Sequence, residues 1–444
     1  MFGKTSARNC SVLGLFLVIL AGQPGFADSL YGNNVSASST SLGGAVVASP
    51  NQPLDIMTSN PAGLGKVTSR DLSIGFAGMF TQGNFRNASN PNASIDVFAG
   101  AVPYAAFVTP IRSSRVKLGF AVTPESSLAA HWHYFDSPGG LGGTSYGIQE
   151  NRSAILAMRF AGGVGVAINK KLSLGLTVGA VYNSNSLKTP YVFQSNPLLK
   201  GFKTLIDLHT QGWAPNASAG LLYAPTSKLQ FGVSYKARTS IHTHGDLDGN
   251  AAAQLATLGA PLRPDFHYDA QVDNVLPQMV SGGFSWQMAP RVRLAMQTDW
   301  INWNKAFTTL PITLTNGNNS DINGFLGTST LKDGIPLNWS NQTVFRVGVE
   351  SSLTERTAWR IGYSYGNNPV PASTVMPLTA AIMQSALASG IGYHRSRYGL
   401  DVTYQYQLPN TEHVGVSALQ AGEYSNSRIR IGIQSVAATT SIHF

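Results

Sequence analysis

Beyond its first few dozen residues, this sequence holds no run of the roughly 20 apolar residues that a membrane-crossing helix needs. Yet from Arg70 to Phe444 it alternates as though one face met oil and the other did not. Leu172, Leu174, Leu176 and Val178 alternate with Ser173, Gly175, Thr177 and Gly179. Leu229, Phe231, Val233 and Tyr235 alternate with Gln230, Gly232, Ser234 and Lys236. Tyr398, Leu400, Val402, Tyr404 and Tyr406 do so with Gly399, Asp401, Thr403, Gln405 and Gln407, and Ile429, Ile431 and Ile433 with Arg430, Gly432 and Gln434. Period two is the strand period. If such a chain lies in a bilayer, only a closed barrel satisfies all of its backbone polar groups. Charged residues are 11% of the chain, against about 25% in soluble proteins.

A soluble sandwich would also alternate. Two patterns favour a membrane barrel. The strands run to ten residues or more, against about 5–6 in soluble sheets. Arginines also recur on the face that avoids lipid: Arg159, Arg293, Arg346, Arg360 and Arg430. A wide barrel turns that face into a polar lumen. Tight turns at Ile111–Ser114, Asn169–Lys171, Pro225–Lys228, Ala289–Arg291, Thr354–Arg356 and Arg395–Arg397 alternate with longer connections. These are Gly83–Ser94, Ala129–Asn151, Ser186–Thr210, Thr243–Asp269, Asn304–Leu337, Asn367–Ser385 and Leu408–Ser427. Short periplasmic and long extracellular connections are the outer-membrane pattern, and the segments amount to about fourteen antiparallel strands. Aromatics such as Tyr104, Trp300, Trp303, Trp359 and Tyr404 fall near strand ends, as interfacial girdles do. Ser441-Ile442-His443-Phe444 resembles the C-terminal signal read by barrel-assembly machinery, with Phe444 as its terminal aromatic.

The start of the chain reads as an export signal. Lys4 and Arg8 precede an apolar core, Val12 to Ala21, and Gly25-Phe26-Ala27 supplies a small-x-small cleavage site. Residues 1–27 are therefore expected to be removed, and 28–69 to fold back as a polar hatch inside a barrel of residues 70–444. The single cysteine, Cys10, lies in the leader, which excludes disulfides, thiolate metal sites and cysteine nucleophiles from the mature chain. The net charge of +9 rests on 30 scattered basic residues without a Lys/Arg run, so no nucleic-acid partner is expected. No G-x-S-x-G, H-E-x-x-H or P-loop is present, so the chain reads as neither an enzyme nor a cofactor protein.

Four segments then carry a resemblance. Asn60-Pro61-Ala62 is similar to a hatch motif of the FadL/TodX family of outer-membrane transporters. Leu276-Pro277-Gln278 with Gly282-Gly283, Asp299 to Phe307 (DWINWNKAF), and Asn368-Pro369-Val370-Pro371-Ala372 resemble later segments of that family, in the same order. The resemblance implies an all-β, fourteen-stranded transmembrane barrel with an N-terminal hatch. It implies passive transport of hydrophobic compounds, long-chain fatty acids or aromatic hydrocarbons, and an inward kink of the third strand that opens the wall sideways.

Site residues follow. Asn60, Pro61, Ala62, Gly63 and Leu64 are the expected gate, because proline suits an irregular loop packed in a lumen. Thr123-Pro124-Glu125 interrupts the third strand, read as Arg115 to Leu128; proline there removes a ladder bond, so Pro124 and Glu125 mark the lateral opening. Pro190–Gln211 reads as a helix with Leu198, Phe202, Leu205 and Ile206 on one face, and Ala251–Ala260 as a second with Leu255 and Leu258. Together they are expected to form an outer capture groove. Arg159, Arg346 and Arg360 are candidates to pair a ligand carboxylate, although lumen acids such as Asp299, Glu350 and Asp401 could occupy them instead. His131-Trp132-His133 and His242-Thr243-His244 place two histidines on one strand face, but neither has an evident third ligand, so no metal is assigned. The protein is expected to be a monomer in the bacterial outer membrane, in contact with outer-membrane lipids. A long-chain fatty acid is the first expected ligand and an aromatic hydrocarbon the alternative. A water-filled diffusion porin is a rival reading, as is an adhesin or phage receptor.

Overall fold

The computed structural model describes residues 35–96, 99–112 and 114–444. The leader (1–27), Cys10 and the first hatch residues lie outside them. Fourteen strands form the wall. They are β1 (Asp71–Arg86), β2 (Ala99–Pro110), β3 (Val116–Asp136), β4 (Gly147–Ala167), β5 (Leu172–Val192) and β6 (Lys203–Tyr223). Next come β7 (Leu229–Lys236 with Thr239–Asn250), β8 (Asp265–Leu276 with Met279–Ala289), β9 (Val292–Ile301 with Thr309–Thr315) and β10 (Leu331–Pro336 with Gln342–Ser352). The last are β11 (Thr357–Gly366), β12 (Ser385–His394), β13 (Tyr398–Val414) and β14 (Ser427–His443). Each pairs antiparallel with its neighbour, and β1 closes the barrel on β14, from Asp71 opposite His443 to Arg86 opposite Arg428. Among the described residues, no helix is long and apolar enough to cross a membrane.

The outer surface shows where lipid ends. On β5 the outward series runs Leu174, Leu176 and Val178, then Tyr182, then Ser184, Ser186 and Lys188. On β6, Tyr223 and Leu221 lead to Trp213, and then to Gln211, His209 and Asp207. Tyr182 and Trp213 touch, with ring centroids 5.1 Å apart, and Phe160 packs 5.5 Å from Trp213. This is an interfacial girdle. Above it the strands continue into water, which corrects the reading of 186–210, 243–269 and 304–337 as mainly loops. The apolar beat stops at the girdle while the backbone ladder does not.

The lumen also changes character with height. On β14 the inward residues Ser441, Thr439 and Ser435 give way to Ile433, Ile431 and Ile429. The lower lumen is polar and the upper lumen apolar. Arg430 is therefore corrected: it is exposed on the outside, level with Asn84 and above the lipid-facing Ile74, Phe76 and Phe80, where a guanidinium is solvated. A second correction concerns Pro190–Gln211. It forms no helix; 190–192 ends β5, 203–211 begins β6, and a turn-rich link joins them. Of the residues in the i, i+4 pattern, Leu198 and Phe202 lie in that link, and Leu205 and Ile206 fall on opposite faces of β6. Ala252–Leu258 is a short helix, as expected.

Candidate functional site

Residues 35–69 form the hatch in the lower lumen. Its elements are α1 (Ala37–Ser41), α2 (Pro53–Thr58) and a 3-10 turn (Pro61–Lys66). Asn60 caps that turn: its Oδ1 accepts from Ala62 N at 3.1 Å, while Nδ2 donates to Val47 O at 2.7 Å and to Leu221 O of β6 at 3.1 Å. One side chain thus ties the hatch to itself and to the wall. The wall makes room for it with glycine. A Cβ at Gly220 would overlap Asn60 Oδ1, and one at Gly175 would overlap Pro61 O. Ala62 and Leu64 are fully buried beside them, and Gly63 packs on Ile56 and Pro50.

Lumen ion pairs hold the remaining hatch. Arg346 pairs with Asp299 at 2.6 Å and donates to Gly43 O at 3.0 Å. Asp299 accepts from Gln297, whose Oε1 accepts from Val46 N and Val47 N at 3.0 and 2.8 Å. Arg360 pairs with Glu350 at 2.6 Å and with Asp401 at 2.5 Å, and Asp401 also accepts from Gln52 of the hatch. Asp55 accepts from Ser36 Oγ at 2.6 Å, and burial pushes its carboxyl up to about 6.

The third strand breaks where Pro124 stands. Pro124 opposes Met158 and Ser126 opposes Ala157, so Glu125 is an extra residue, a bulge. Five consecutive residues, Thr123 to Ser127, are buried. A strand lying flat in the wall would expose alternate ones, so this piece is drawn inward. Glu125 reaches Lys236 Nζ at 2.8 Å and Arg159 Nε at 3.4 Å, and Arg159 also donates to Thr177 Oγ1 at 2.6 Å. Here β3 parts from β2. β2 pairs with β3 only from Ala105 opposite Val122 to Pro110 opposite Lys117. Higher up, β3 meets the β1–β2 connection at the Ile95–Trp132 bridge. Between those points no pairing crosses the seam among the described residues, which leaves a gap in the ladder. On the lipid side an apolar recess of about 460 Å³, lined by Phe107, Phe120, Val122 and Phe160, adjoins the lower corner of this gap.

On the lumen side, just above the bulge, lies an apolar chamber of about 90 Å³. Leu128 of β3, Ile155, Leu187, Leu208, Phe307, Ile335, Trp339 and Leu378 line it, with Ser153, Asn185, Asn274 and Thr379 as polar points. Trp303, Phe307 and Trp339 stack edge-on at its side, with centroids 4.9–5.0 Å apart. Its roof is the connection between β11 and β12. That segment turns into the barrel: Val375, Leu378, Ala381 and Ile382 are buried, and Ser153 of the opposite wall donates to Leu378 O at 2.9 Å. Neither this roof nor Lys236 was identified from the sequence. The run from Val375 to Met383, too apolar for an exposed loop, was the available signal.

The predicted residues are thus distributed unevenly. Asn60 to Leu64 meet the wall, and Pro124 and Glu125 mark the gap. Arg159, Arg346 and Arg360 are each engaged by a carboxylate and stand away from the chamber lining. The six outer apolar residues do not make one groove: Ile206 and Leu255 are buried in the upper core, Phe202 packs against it, Leu205 is half-buried, and Leu198 and Leu258 face solvent.

The family described as Outer membrane protein transport protein (OMPP1/FadL/TodX) matches residues 18–444. The chain belongs to that family. No curated protein matches the sequence. Among solved structures, the Ralstonia pickettii toluene transporter TbuX is 20% identical, with a TM-score of 0.71 over 93% of this chain and 99% of that one. A Pseudomonas aeruginosa FadL homologue is 16% identical, with a TM-score of 0.73 over 95% and 100%. The Pseudomonas putida toluene transporter TodX is 18% identical, with a TM-score of 0.73 over 94% and 100%. At these identities the likeness is one of fold. Those structures share the fold described above over nearly its whole length, and the family is one of outer-membrane transport proteins.

Proposed function

We propose that this member of the FadL/TodX family passes small uncharged hydrocarbons, single-ring aromatics foremost, from the cell surface into the chamber and then sideways through the gap beside Pro124. The observation that carries this is the chamber lining. None of its described residues is ionisable, and its side wall is aromatic. A fatty-acid carboxylate taken there would be buried without a cation, at a cost of several kcal/mol. Arg159, Arg346 and Arg360, the cations that could have met it, already hold Glu125, Asp299, Glu350 and Asp401. At about 90 Å³ the chamber would have to widen a little for one small ring and far more for an extended acyl chain. Two of the relatives above carry toluene in their descriptions, which supports the same ligand class.

In this reading Asn60 to Leu64 act as the gate, because they join the hatch to the wall below the chamber. The apolar recess outside the gap receives the ligand, and exit into lipid keeps it out of water throughout. The test is binding and uptake by the full barrel. Toluene should bind and enter cells, and an intact long-chain fatty acid should do neither. Trp339→Ala should shift selectivity towards bulkier rings. Tight fatty-acid binding at neutral pH would overturn the reading, as would toluene uptake unchanged by removing the protein.

A further inference from the structure

Outside the passage, at the upper rim of the gap, three ligand-type side chains converge. On β3, His131 and His133 turn outward on either side of the buried Trp132. The fold supplies the third partner that the sequence did not reveal. Asp96 docks onto β3, its amide donating to His131 O at 2.9 Å. Its Oδ2 lies 2.7 Å from His133 Nδ1 and 3.3 Å from His131 Nδ1. The three ligand atoms all fall within 4.8 Å of one another. Ligands about 2.0–2.1 Å from a tetrahedral ion stand roughly 3.3 Å apart. The Asp96–His131 edge has that length already, and the His133 edge needs to open by a fraction of an ångström.

The surroundings leave a place that an ion can fill. His131 Nε2 is 3.0 Å from Glu150 Oε1, and Glu150 Oε2 accepts from Lys188 Nζ at 2.8 Å. A neutral His131 that gives its Nε2 proton to Glu150 presents a lone pair at Nδ1. That lone pair faces the Asp96 oxygen, which is also an acceptor. Either a proton or a cation must stand between them. A carboxylate behind a histidine is also the usual outer partner of a metal-bound imidazole, fixing its tautomer. Arg152, opposite His131 in register, adds positive charge nearby; Asp96 and Glu150 offset it. The second histidine pair is different: His242 Nδ1 is held 2.8 Å from Asp273, outside any such three-ligand group among the described residues.

We propose that Asp96, His131 and His133 bind a borderline divalent transition ion, Zn²⁺ foremost, with Glu150 orienting His131. Two imidazoles and one carboxylate suit such an ion better than Ca²⁺ or Mg²⁺, which take oxygen ligands. Asp96 belongs to the β1–β2 connection, and both histidines belong to β3. A bound ion would therefore clip the two sides of the gap together at its outer rim. This inference does not rest on which hydrocarbon is carried.

The test uses the full, untagged barrel in detergent and Co²⁺ as a visible reporter. One Co²⁺ per chain should give a tetrahedral ligand-field spectrum, and Zn²⁺ should displace it. His131→Ala and His133→Ala should each weaken binding at least 100-fold, and Glu150→Gln by about 10–100-fold. His242→Ala should leave it unchanged. Heat-dependent gel migration checks that each variant is folded; the side chains point outward, so folding should survive. Zn²⁺ should also slow proteolysis between residues 87 and 96 in the wild type but not in His133→Ala. Absence of binding to the wild type overturns the proposal. So does binding that persists in both histidine variants.

Discussion

Replacing Asp55 by asparagine should make the hatch indifferent to pH, whereas the wild-type hatch should loosen as pH rises. Asp55 is buried on α2, and desolvation lifts its carboxyl from 3.8 to about 6 despite the hydrogen bond from Ser36. A displaced hatch would return it to water and to the lower value. The folded hatch therefore binds the proton more tightly than the displaced one. The stabilisation is complete below about 3.8 and is lost as pH rises through about 6. About two pKa units at 1.36 kcal/mol each make the whole effect roughly 3 kcal/mol. About half of it, roughly tenfold in the opening constant, falls between pH 5 and pH 8. Hydrogen exchange of the hatch amides measures this, once corrected for the pH dependence of the exchange chemistry. His394 and His443 line the same cavity, beside Asp401 and Asp71, and Arg293, Arg360 and Glu350 face it too. If opening in the wild type does not change with pH, or the slope survives in Asp55→Asn, the reasoning is refuted.

Glu125→Gln leaves Lys236 and Arg159 buried without their carboxylate and should cost about 3–5 kcal/mol, read as a lower unfolding temperature with altered uptake. Gly220→Ala places a methyl group against Asn60 Oδ1 and should free the hatch rather than unfold the wall. Loss of the Asn60 donor bonds to Val47 and Leu221 at about 1 kcal/mol each would raise hatch exchange by roughly 30-fold. Replacing Leu378 with aspartate buries a charge in the chamber roof and should abolish toluene binding while the barrel still inserts.

The barrel was legible because lipid imposes alternation on each strand it touches, as at Leu174, Leu176 and Val178. Above Tyr182 lipid no longer writes the pattern, so strand ends there went unread, and a false helical period arose at Pro190–Gln211. Arg430 was placed inward on the premise that arginine avoids the outer face, which fails above the girdle. The kink was legible because proline cannot sit quietly in a ladder. Lys236 was not: its alternation is ordinary, and only the bulge of a strand 111 residues away gives it Glu125 as a partner. Asp96 was hidden for the same reason, since the contact that matters is long-range.

The β11–β12 connection closes the outer half of the lumen while the hatch closes the inner half. Two seals in series with a dry compartment between them make an airlock. Such a device can pass an oily molecule while polar dyes and antibiotics, which an apolar compartment does not solvate, stay outside. In a planar bilayer it would be electrically silent while it works.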